Sequence, residues 1–175
     1  MLVAPREVHD LVFRCARIAG LDAGAADRAG RNVTYSEVHF GGAVASFASV
    51  LADPQRLVAE YGTGPDALVL AEVEARAKGI GSAIFAIGVP LAALGSGIAD
   101  ITGRGLGVEG VPIGATGTTL VDVLQVGGPA MPVDDAAGSR AAREGLVVDR
   151  AAFSALTEAA KAFLVSETIL DGIED

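Results

Sequence analysis

Cysteine and histidine are scarce in this 175-residue chain, which has one cysteine and two histidines. Cys15 alone cannot form an internal disulfide, so nothing in the cysteine usage points to an oxidising compartment. So few sulfur and imidazole ligands, with neither a His-x-x-x-His nor a Cys-x-x-Cys spacing, exclude a structural zinc site. We therefore predict no metal centre, and we interpret Cys15 as a small core residue on the apolar face of a helix.

Positive charge is also scarce, because 13 Lys and Arg residues face 22 Asp and Glu residues and give a net charge of −9. This balance argues against nucleic acid, which requires a basic surface, and against an anionic membrane surface. The opening MLVAPREVHD lacks the basic region and apolar core of a secretory signal. We predict an acidic, cytoplasmic protein with neither a nucleic-acid nor a membrane partner.

A long uncharged stretch runs from Gly79 to Ala99. A membrane-spanning helix needs about 20 apolar residues, which this stretch barely reaches, and glycine and proline interrupt it repeatedly. The pattern is better explained as the interior of a folded domain. We predict a buried strand over 82–88, followed after Pro90 by a helix of small residues that ends at Gly103.

Amphipathic patterns predict helices towards both ends of the chain. Apolar residues recur at helical spacing over 5–19 and 66–78, and Asp149 can cap a C-terminal amphipathic helix. Strand patterns lie between these helices, at 106–113 and 118–127. We predict a mixed α+β fold with a helical N-terminal part, a small mixed sheet in the middle and a C-terminal amphipathic helix.

The chain length is that of a single domain, which we predict to span 1–175. Segment 127–148 combines glycine, proline and charge without a long apolar period. We predict that it is a loop or linker before the last helix.

A loop with the sequence GATGTT, at 114–119, combines small residues, hydroxyl groups and backbone amides that can form an anion-binding nest. It lacks the lysine of a phosphate-binding P-loop. The alternative is a simple turn that leads into a strand. The candidate cofactor-binding residues are Gly114, Thr116, Gly117 and Thr118.

The candidate catalytic residues, His39 and Glu37, follow a segment of ambiguous structure. Asp22 can cap a helix there, whereas Val33-Thr34-Tyr35 favours a strand. In an extended segment Glu37 and His39 point to the same side, as a carboxylate that orients an imidazole requires. In a helix they do not face each other. The alternative is a half-buried histidine with a structural role.

The chain resembles a family of short bacterial proteins that carry only a domain-of-unknown-function label. The opening resembles the family's Glu-Val start, its helix ending in Ala-Gly-Leu and its Ala-Gly-Arg segment. GVPLAALGSGIAD and LVSETILDGIED resemble its central and C-terminal segments. The matching N-terminal positions are Glu7-Val8, Ala19-Gly20-Leu21, Gly24, Ala26-Asp27 and Ala29-Gly30-Arg31. This resemblance implies no activity.

A more distant likeness is to the type-2 malate/L-lactate dehydrogenase family. ARAKGIGSAIF is similar to that family's helix, turn and strand with Gly-Ile-Gly, and VHFGG is similar to the segment around its catalytic histidine. The likeness implies that His39 is an acid/base and that NAD or NADP is the cofactor of a 2-oxo acid oxidoreductase.

Three functional hypotheses follow. The sparse titratable residues and small-residue core favour a non-catalytic protein that binds a small molecule or a partner enzyme. The pair Glu37 and His39, with the dehydrogenase likeness, supports a reduced NAD(P)-dependent oxidoreductase. The apolar fraction of 51% exceeds what one small core buries, which supports a homo-oligomeric structural module.

Overall fold

The structure is a computed structural model that describes residues 1–79, 83–131 and 135–170. Helices make up 63% of it and strands 14%. The strands pair antiparallel in two small sheets rather than alternating with helices in a parallel array. The predicted mixed α+β fold is therefore confirmed.

Helices surround the small sheets in chain order. The helices are α1 (Pro5–Ile18), α2 (Ala23–Phe40), α3 (Ala43–Ala48), α4 (Pro54–Leu57), α5 (Gly64–Ala77), α6 (Gly95–Gly103), α7 (Ala136–Glu144) and α8 (Arg150–Leu170). A π-helical turn (Val58–Thr63) joins α4 to α5, and a 3₁₀ turn (Leu91–Ala93) precedes α6. The strands are β1 (Leu2–Val3), β2 (Ala83–Pro90), β3 (Leu106–Glu109), β4 (Leu120–Pro129) and β5 (Leu146–Val147).

The larger sheet has the order β2-β4-β3, and both pairings are antiparallel. In the smaller sheet β1 pairs with β5, with Leu2 opposite Val147 and Val3 opposite Leu146. This two-stranded ribbon joins the segment before α1 to the segment between α7 and α8. It thereby holds α7 close to the beginning of α1.

The core lies where α1 packs against both α2 and α8. The apolar stripe of α1 supplies the buried residues Val8, Val12 and Cys15, and α8 supplies Leu156. The helix caps that were predicted from the sequence are present, because Asp22 Oδ1 accepts from the Ala25 amide at 2.8 Å and Asp149 Oδ1 from the Ala152 amide at 2.7 Å. These carboxylates satisfy amides that the first helical turn leaves unpaired.

The uncharged stretch folds as strand, turn and helix, namely β2, the 3₁₀ turn and α6, which is the predicted order of elements. Residues 80–82 lie outside the described part. The turn (Leu91–Ala93) is completely buried, as is Leu94 beside it. Among the described residues, no helix has both the length and the hydropathy that crossing a bilayer requires.

The structure resolves one local ambiguity and differs from one local expectation. The β-favouring run at Val33–Tyr35 does not end the second helix, because burial of Val33 and the packing of α2 against α6 outweigh the local propensity. Segment 127–148 is not simply a loop or linker, since it contains the end of β4, then α7 and β5. The glycines and prolines at its start obscured the helix-forming run of alanine, arginine and glutamate that follows.

Candidate ligand-binding cleft

A cleft of about 370 Å³ lies between α1, α2 and α7, and α6 contributes one residue. This volume is within the range of about 300–1,000 Å³ that is typical of small-molecule sites. We call it the main cleft. Its lining residues are Pro5, His9, Arg31, Thr34, Tyr35, Val38, His39, Ser96, Asp135, Gly138, Ala141 and Ala142.

Helical spacing explains how α2 supplies most of this lining. Arg31, Tyr35 and His39 follow one another at intervals of four residues, and Thr34 and Val38 lie beside them at intervals of three and four. Residues at these intervals share one face of a helix. The continuation of α2 through the predicted strand segment is what creates this face.

Tyr35 and His39 form an aromatic stack in the cleft, with ring centroids 4.0 Å apart and an interplanar angle of 25°. The side chain of His39 is only 13% exposed, and its Nε2 lies 3.9 Å from Asp135 Oδ1. Burial lowers the pKa of His39, and the nearby Asp135 carboxylate partly opposes this effect. At neutral pH the imidazole is therefore uncharged, with one nitrogen that donates and one that accepts a hydrogen bond.

Asp135 faces this stack from the beginning of α7. A side chain at Gly138 would collide with the Asp135 carboxylate, so the glycine provides the space that the carboxylate occupies. Burial, followed by the charges of Asp135 and Asp100, raises the pKa of Tyr35. The phenol thus remains protonated at neutral pH and is available as a hydrogen-bond donor.

The opposite side of the cleft is organised around Asp27. One of its oxygens lies 3.3 Å from His9 Nε2, and the other lies 3.1 Å from Arg31 Nε. His9 packs against the backbone of α2 at Gly30, where any side chain would clash with the imidazole. Asp27 therefore holds both a histidine and an arginine at the edge of the main cleft.

Thr34 contributes a hydroxyl that the protein does not satisfy. Its Oγ1 is shielded from solvent and has no hydrogen-bond partner in the part of the chain that the structure describes. A hydroxyl without a partner costs free energy, since it loses its bonds to water without replacing them. Thr34 also lines the main cleft, so this unsatisfied hydroxyl lies within the wall of the cleft.

A second, smaller cavity of about 90 Å³ adjoins the main cleft between α2, α5 and α6. Both spaces are lined by Arg31 and Ser96. The other charged residues that line the small cavity are Arg28, Glu72, Asp100 and Arg104. We call this space the small cavity.

Glu72 anchors one wall of the small cavity. Its buried carboxylate accepts from Arg104 at 2.5 and 2.9 Å and from Arg76 at 2.8 and 3.0 Å. The hydrogen bond from Arg104 is the main cause that lowers the pKa of Glu72, so the carboxylate stays ionised. Two arginines thus balance this single negative charge.

Asn32 fixes α6 beside both spaces. This buried residue donates from Nδ2 to the Ala93 carbonyl at 2.5 Å, and its Oδ1 accepts from the Ser96 hydroxyl at 2.6 Å and the Gly97 amide at 3.1 Å. The amide side chain therefore satisfies the beginning of α6. Ser96 is held between the main cleft and the small cavity as a result.

The structure separates the two candidate catalytic residues. Residues 35–39 are helical, so the extended arrangement required for a Glu37–His39 pair is absent. Glu37 is buried, and its Oε2 accepts from the Val44 amide at 2.8 Å at the beginning of α3. His39 lies in the main cleft with Asp135 as its nearest carboxylate partner.

The candidate cofactor loop uses its polar groups within the protein. The Thr116 amide donates to Thr119 Oγ1 at 2.9 Å, and the Thr116 and Thr118 hydroxyls lie 2.9 Å apart. The Gly117 amide donates to the Gly41 carbonyl at 2.7 Å. Gly114 has a φ of +74°, which fits a turn. The contacts of this loop are those of a turn that leads into β4.

Sequence reasoning missed most of the main cleft. Asp135, Arg31, Thr34 and His9 gave no motif, although the spacing along α2 would have grouped three of the cleft residues on one face. The contribution of α7 was missed, because the glycines and prolines before its helix-forming run indicated a linker. Within the described ranges, no group of three or more His, Cys, Asp or Glu residues is placed to hold a metal ion.

Comparison with known proteins yields no relative. No protein-family model matches the chain, and neither a curated protein nor a solved structure is significantly similar to it. The geometry of the main cleft and the small cavity is therefore the basis for assigning a function.

Proposed function

We propose that the protein binds a small organic molecule in the main cleft and acts as a binding or accessory protein. The observation that carries this proposal is the cleft of about 370 Å³, in whose wall the Thr34 hydroxyl has no hydrogen-bond partner among the described residues. Ligand sites combine apolar walls with a few polar groups that fix orientation. Here Pro5, Val38 and Ala141 supply apolar surface.

The remaining polar groups support a ligand of mixed character. The Tyr35–His39 stack offers two aromatic rings beside the Asp135 carboxylate. Uncharged imidazole and phenol groups both donate hydrogen bonds, and the imidazole also accepts one. A partly apolar molecule with at least one hydrogen-bonding group, opposite Thr34, matches this lining.

The histidines provide a direct assay, because the chain has only two and both line the main cleft. We would screen a library of small organic fragments against protein labelled with ¹⁵N-histidine and follow the imidazole resonances. The proposal expects some fragments to shift the signals of both His9 and His39 in a saturable manner. If no fragment perturbs either imidazole, the proposal is wrong.

Two matched variants of α7 locate the binding. Ala142 lines the main cleft, whereas Ser139 is exposed on the same helix and does not line it. Ala142→Phe should abolish the histidine shifts by filling the cleft, and Ser139→Phe should leave them unchanged. Equal binding by both variants would place the fragments elsewhere and contradict the proposal.

An enzymatic alternative uses the same cleft. The side chain of His39 is only 13% exposed and desolvation lowers its pKa, so the imidazole is uncharged at neutral pH and can accept a proton. A 2-oxo acid oxidoreductase would also need a hydride from NADH or NADPH. Thermal unfolding with each cofactor at millimolar concentration tests this alternative, because a bound cofactor raises the transition temperature. If neither cofactor raises the transition temperature, the oxidoreductase alternative has no hydride source and is excluded.

A homo-oligomeric alternative is supported by the outer face of α5, where Val69, Leu70 and Val73 are exposed. Apolar side chains that cluster on a surface often mark an interface. Light scattering at increasing protein concentration tests this alternative. It expects a dimer or larger assembly that Leu70→Lys dissociates, and a monomer at all concentrations would exclude it.

A further inference from the structure

We infer that the ligand of the main cleft carries an anionic group, a carboxylate or a phosphate, which enters the small cavity between Arg28 and Arg31. The inference rests on the proposed binding function and adds the chemical class of the ligand. Arg31 and Ser96 line both spaces, so one molecule can place its body in the main cleft and its charged group in the small cavity.

Three arginines meet at the small cavity. The charged side chains that line it are Arg28, Arg31 and Arg104, against the carboxylates Glu72 and Asp100. Within the lining three arginines face two carboxylates, and Asp66 and Asp27 pair with Arg28 and Arg31 from outside it. Arginine is well suited to carboxylate and phosphate groups, because its planar fork matches their oxygen atoms.

In the described part of the chain, the guanidinium of Arg28 has partners for one of its nitrogen atoms but not for all of them. Its Nη2 donates to the Gly62 carbonyl at 2.9 Å and lies 2.8 Å from Asp66 Oδ1. The Nε of the same side chain is buried and has no acceptor among the described residues. A buried guanidinium donor without an acceptor costs free energy, and Arg28 carries this unmet donor in the wall of the small cavity.

Arg31 and Arg104 have different roles in the small cavity. Arg104 donates from two nitrogens to Glu72, so its charge is largely balanced within the protein. Arg31 pairs with Asp27 through Nε alone, and its two terminal nitrogens remain available at the junction of the two spaces. The pair Arg28 and Arg31 is therefore the part of the cluster that is open to a ligand.

The size of the small cavity limits what can enter it. Its volume of about 90 Å³ corresponds to about three water molecules in the liquid. A carboxylate or phosphate group fits in this space, and the main cleft, at about 370 Å³, has the room for the rest of the molecule. The body of the ligand must then lie in the main cleft, against Tyr35 and His39.

Pairs of probes that differ only in charge test the inference. We would compare benzoate with benzamide, and phenyl phosphate with phenol, at constant ionic strength, by calorimetry and by the histidine signals. The acidic member of at least one pair should bind at least tenfold more tightly. The pair that shows this preference indicates whether a carboxylate or a phosphate is favoured.

Substitutions of arginine give the matched control. Arg31→Gln should remove the tenfold preference, so that the acidic and neutral members of a pair bind with similar affinity. Arg6 also pairs with an aspartate four residues away, but its side chain is 90% exposed and does not line either space. Arg6→Gln should therefore retain the full preference for the acidic probe.

A second pair of variants alters charge without removing an arginine. Val69 lines the small cavity at its surface, and Val73 lies one turn further along α5, outside it. Because the two side chains are 49% and 61% exposed, both variants should fold. Val69→Glu should weaken binding of the acidic probe at least threefold, and Val73→Glu should have no comparable effect.

The outcomes separate the inference from the proposed function. If neutral and acidic probes bind equally well and both shift the histidines, the inference is overturned while the binding function stands. If the acidic preference survives Arg31→Gln, the anion lies elsewhere and the inference is likewise overturned. If neither member of any pair binds, the inference and the proposed function both fail.

Discussion

Cys15 is a thiol whose surroundings suppress its chemistry. It is 3% exposed in the core between α1 and α8, and its Sγ donates weakly to the Leu156 carbonyl at 3.5 Å. Burial raises the pKa of Cys15 to about 11, from 9.0. The reactive thiolate fraction near pH 8 falls about a hundredfold as a result.

Native Cys15 should therefore resist labelling by Ellman's reagent (DTNB). We expect the second-order rate constant at pH 8 to be at least about a hundredfold lower than in the urea-unfolded chain. Absorbance of the released thionitrobenzoate measures both rates in one experiment. A native rate within tenfold of the unfolded rate would mean that the thiol is accessible, contrary to its placement in the core.

His39 should make stability depend on pH. Its pKa is lowered in the folded protein by burial, so as pH falls below about 6.5 the unfolded chain takes up a proton before the native protein does. The stability that His39 contributes by being uncharged is fully present above its pKa in the unfolded chain. It is lost as the pH falls through the lower pKa of His39 in the folded protein.

Urea unfolding of the wild type and His39→Gln at pH 7.5 and 5.5 isolates this effect. The free energy of unfolding should fall more between the two pH values for the wild type than for His39→Gln. The comparison of slopes is unaffected by any loss of packing in the variant. Identical slopes would show that His39 titrates alike in the folded and unfolded states.

At the scale of elements, glycine permits a close contact between the loop before β4 and α3. A Cβ at Gly117 would collide with the backbone of Ala43, whereas a Cβ at Gly103, the last residue of α6, meets open space. Gly117→Ala should lower the free energy of unfolding by about 2–3 kcal/mol. Gly103→Ala should leave it unchanged or raise it by about 0.5 kcal/mol.

Urea denaturation of the two glycine variants, with circular dichroism as the probe, measures this difference. The comparison is matched, because both variants add one methyl group to a glycine. A Gly117→Ala protein as stable as the wild type would mean that the loop is not packed against α3.

Sequence patterns predicted those elements whose own residues determine them. The stripe on α1, the capped α8 and the strands β2 and β4 were all anticipated within a few residues. The continuation of α2 through Val33–Tyr35 was not anticipated, because burial against α6 determines it. The residues that make this contact lie about 60 positions further along the chain. A local pattern has no access to such a contact.

The candidate site was predictable only in part for the same reason. His39 was identified from its chemistry, but its pairing with Glu37 depended on an extended segment that the structure does not form. Asp135 comes from α7, nearly one hundred residues further along the chain, and meets His39 only in the folded protein. Tertiary structure, not spacing, therefore brings this pair together.

At the scale of the whole molecule, α8 completes the core formed by α1 and α3. Leu156 is fully buried there, whereas its neighbour Thr157 is exposed. Leu156→Ala should lower the free energy of unfolding by about 2–5 kcal/mol, because it removes apolar contacts and leaves a cavity. Thr157→Ala should change it by less than about 0.5 kcal/mol.

Calorimetric unfolding of these two variants tests whether α8 is integral to the fold. Labelling of Cys15 gives an independent readout, since Leu156 lies beside the thiol. Leu156→Ala should accelerate that labelling as well as lower the transition temperature. A variant with unchanged thermal stability would place α8 outside the cooperative unit.

The β1–β5 ribbon has a geometric consequence for the space it borders. β1 leads directly into α1, and β5 follows α7 after Gly145, so the pairing of Leu2 with Val147 sets how far apart these two walls stand. A register slip of one residue would displace β5, and with it the end of α7, by about 3.3 Å relative to β1. The ribbon therefore fixes the width of the main cleft, although its four residues, Leu2, Val3, Leu146 and Val147, do not line the cleft.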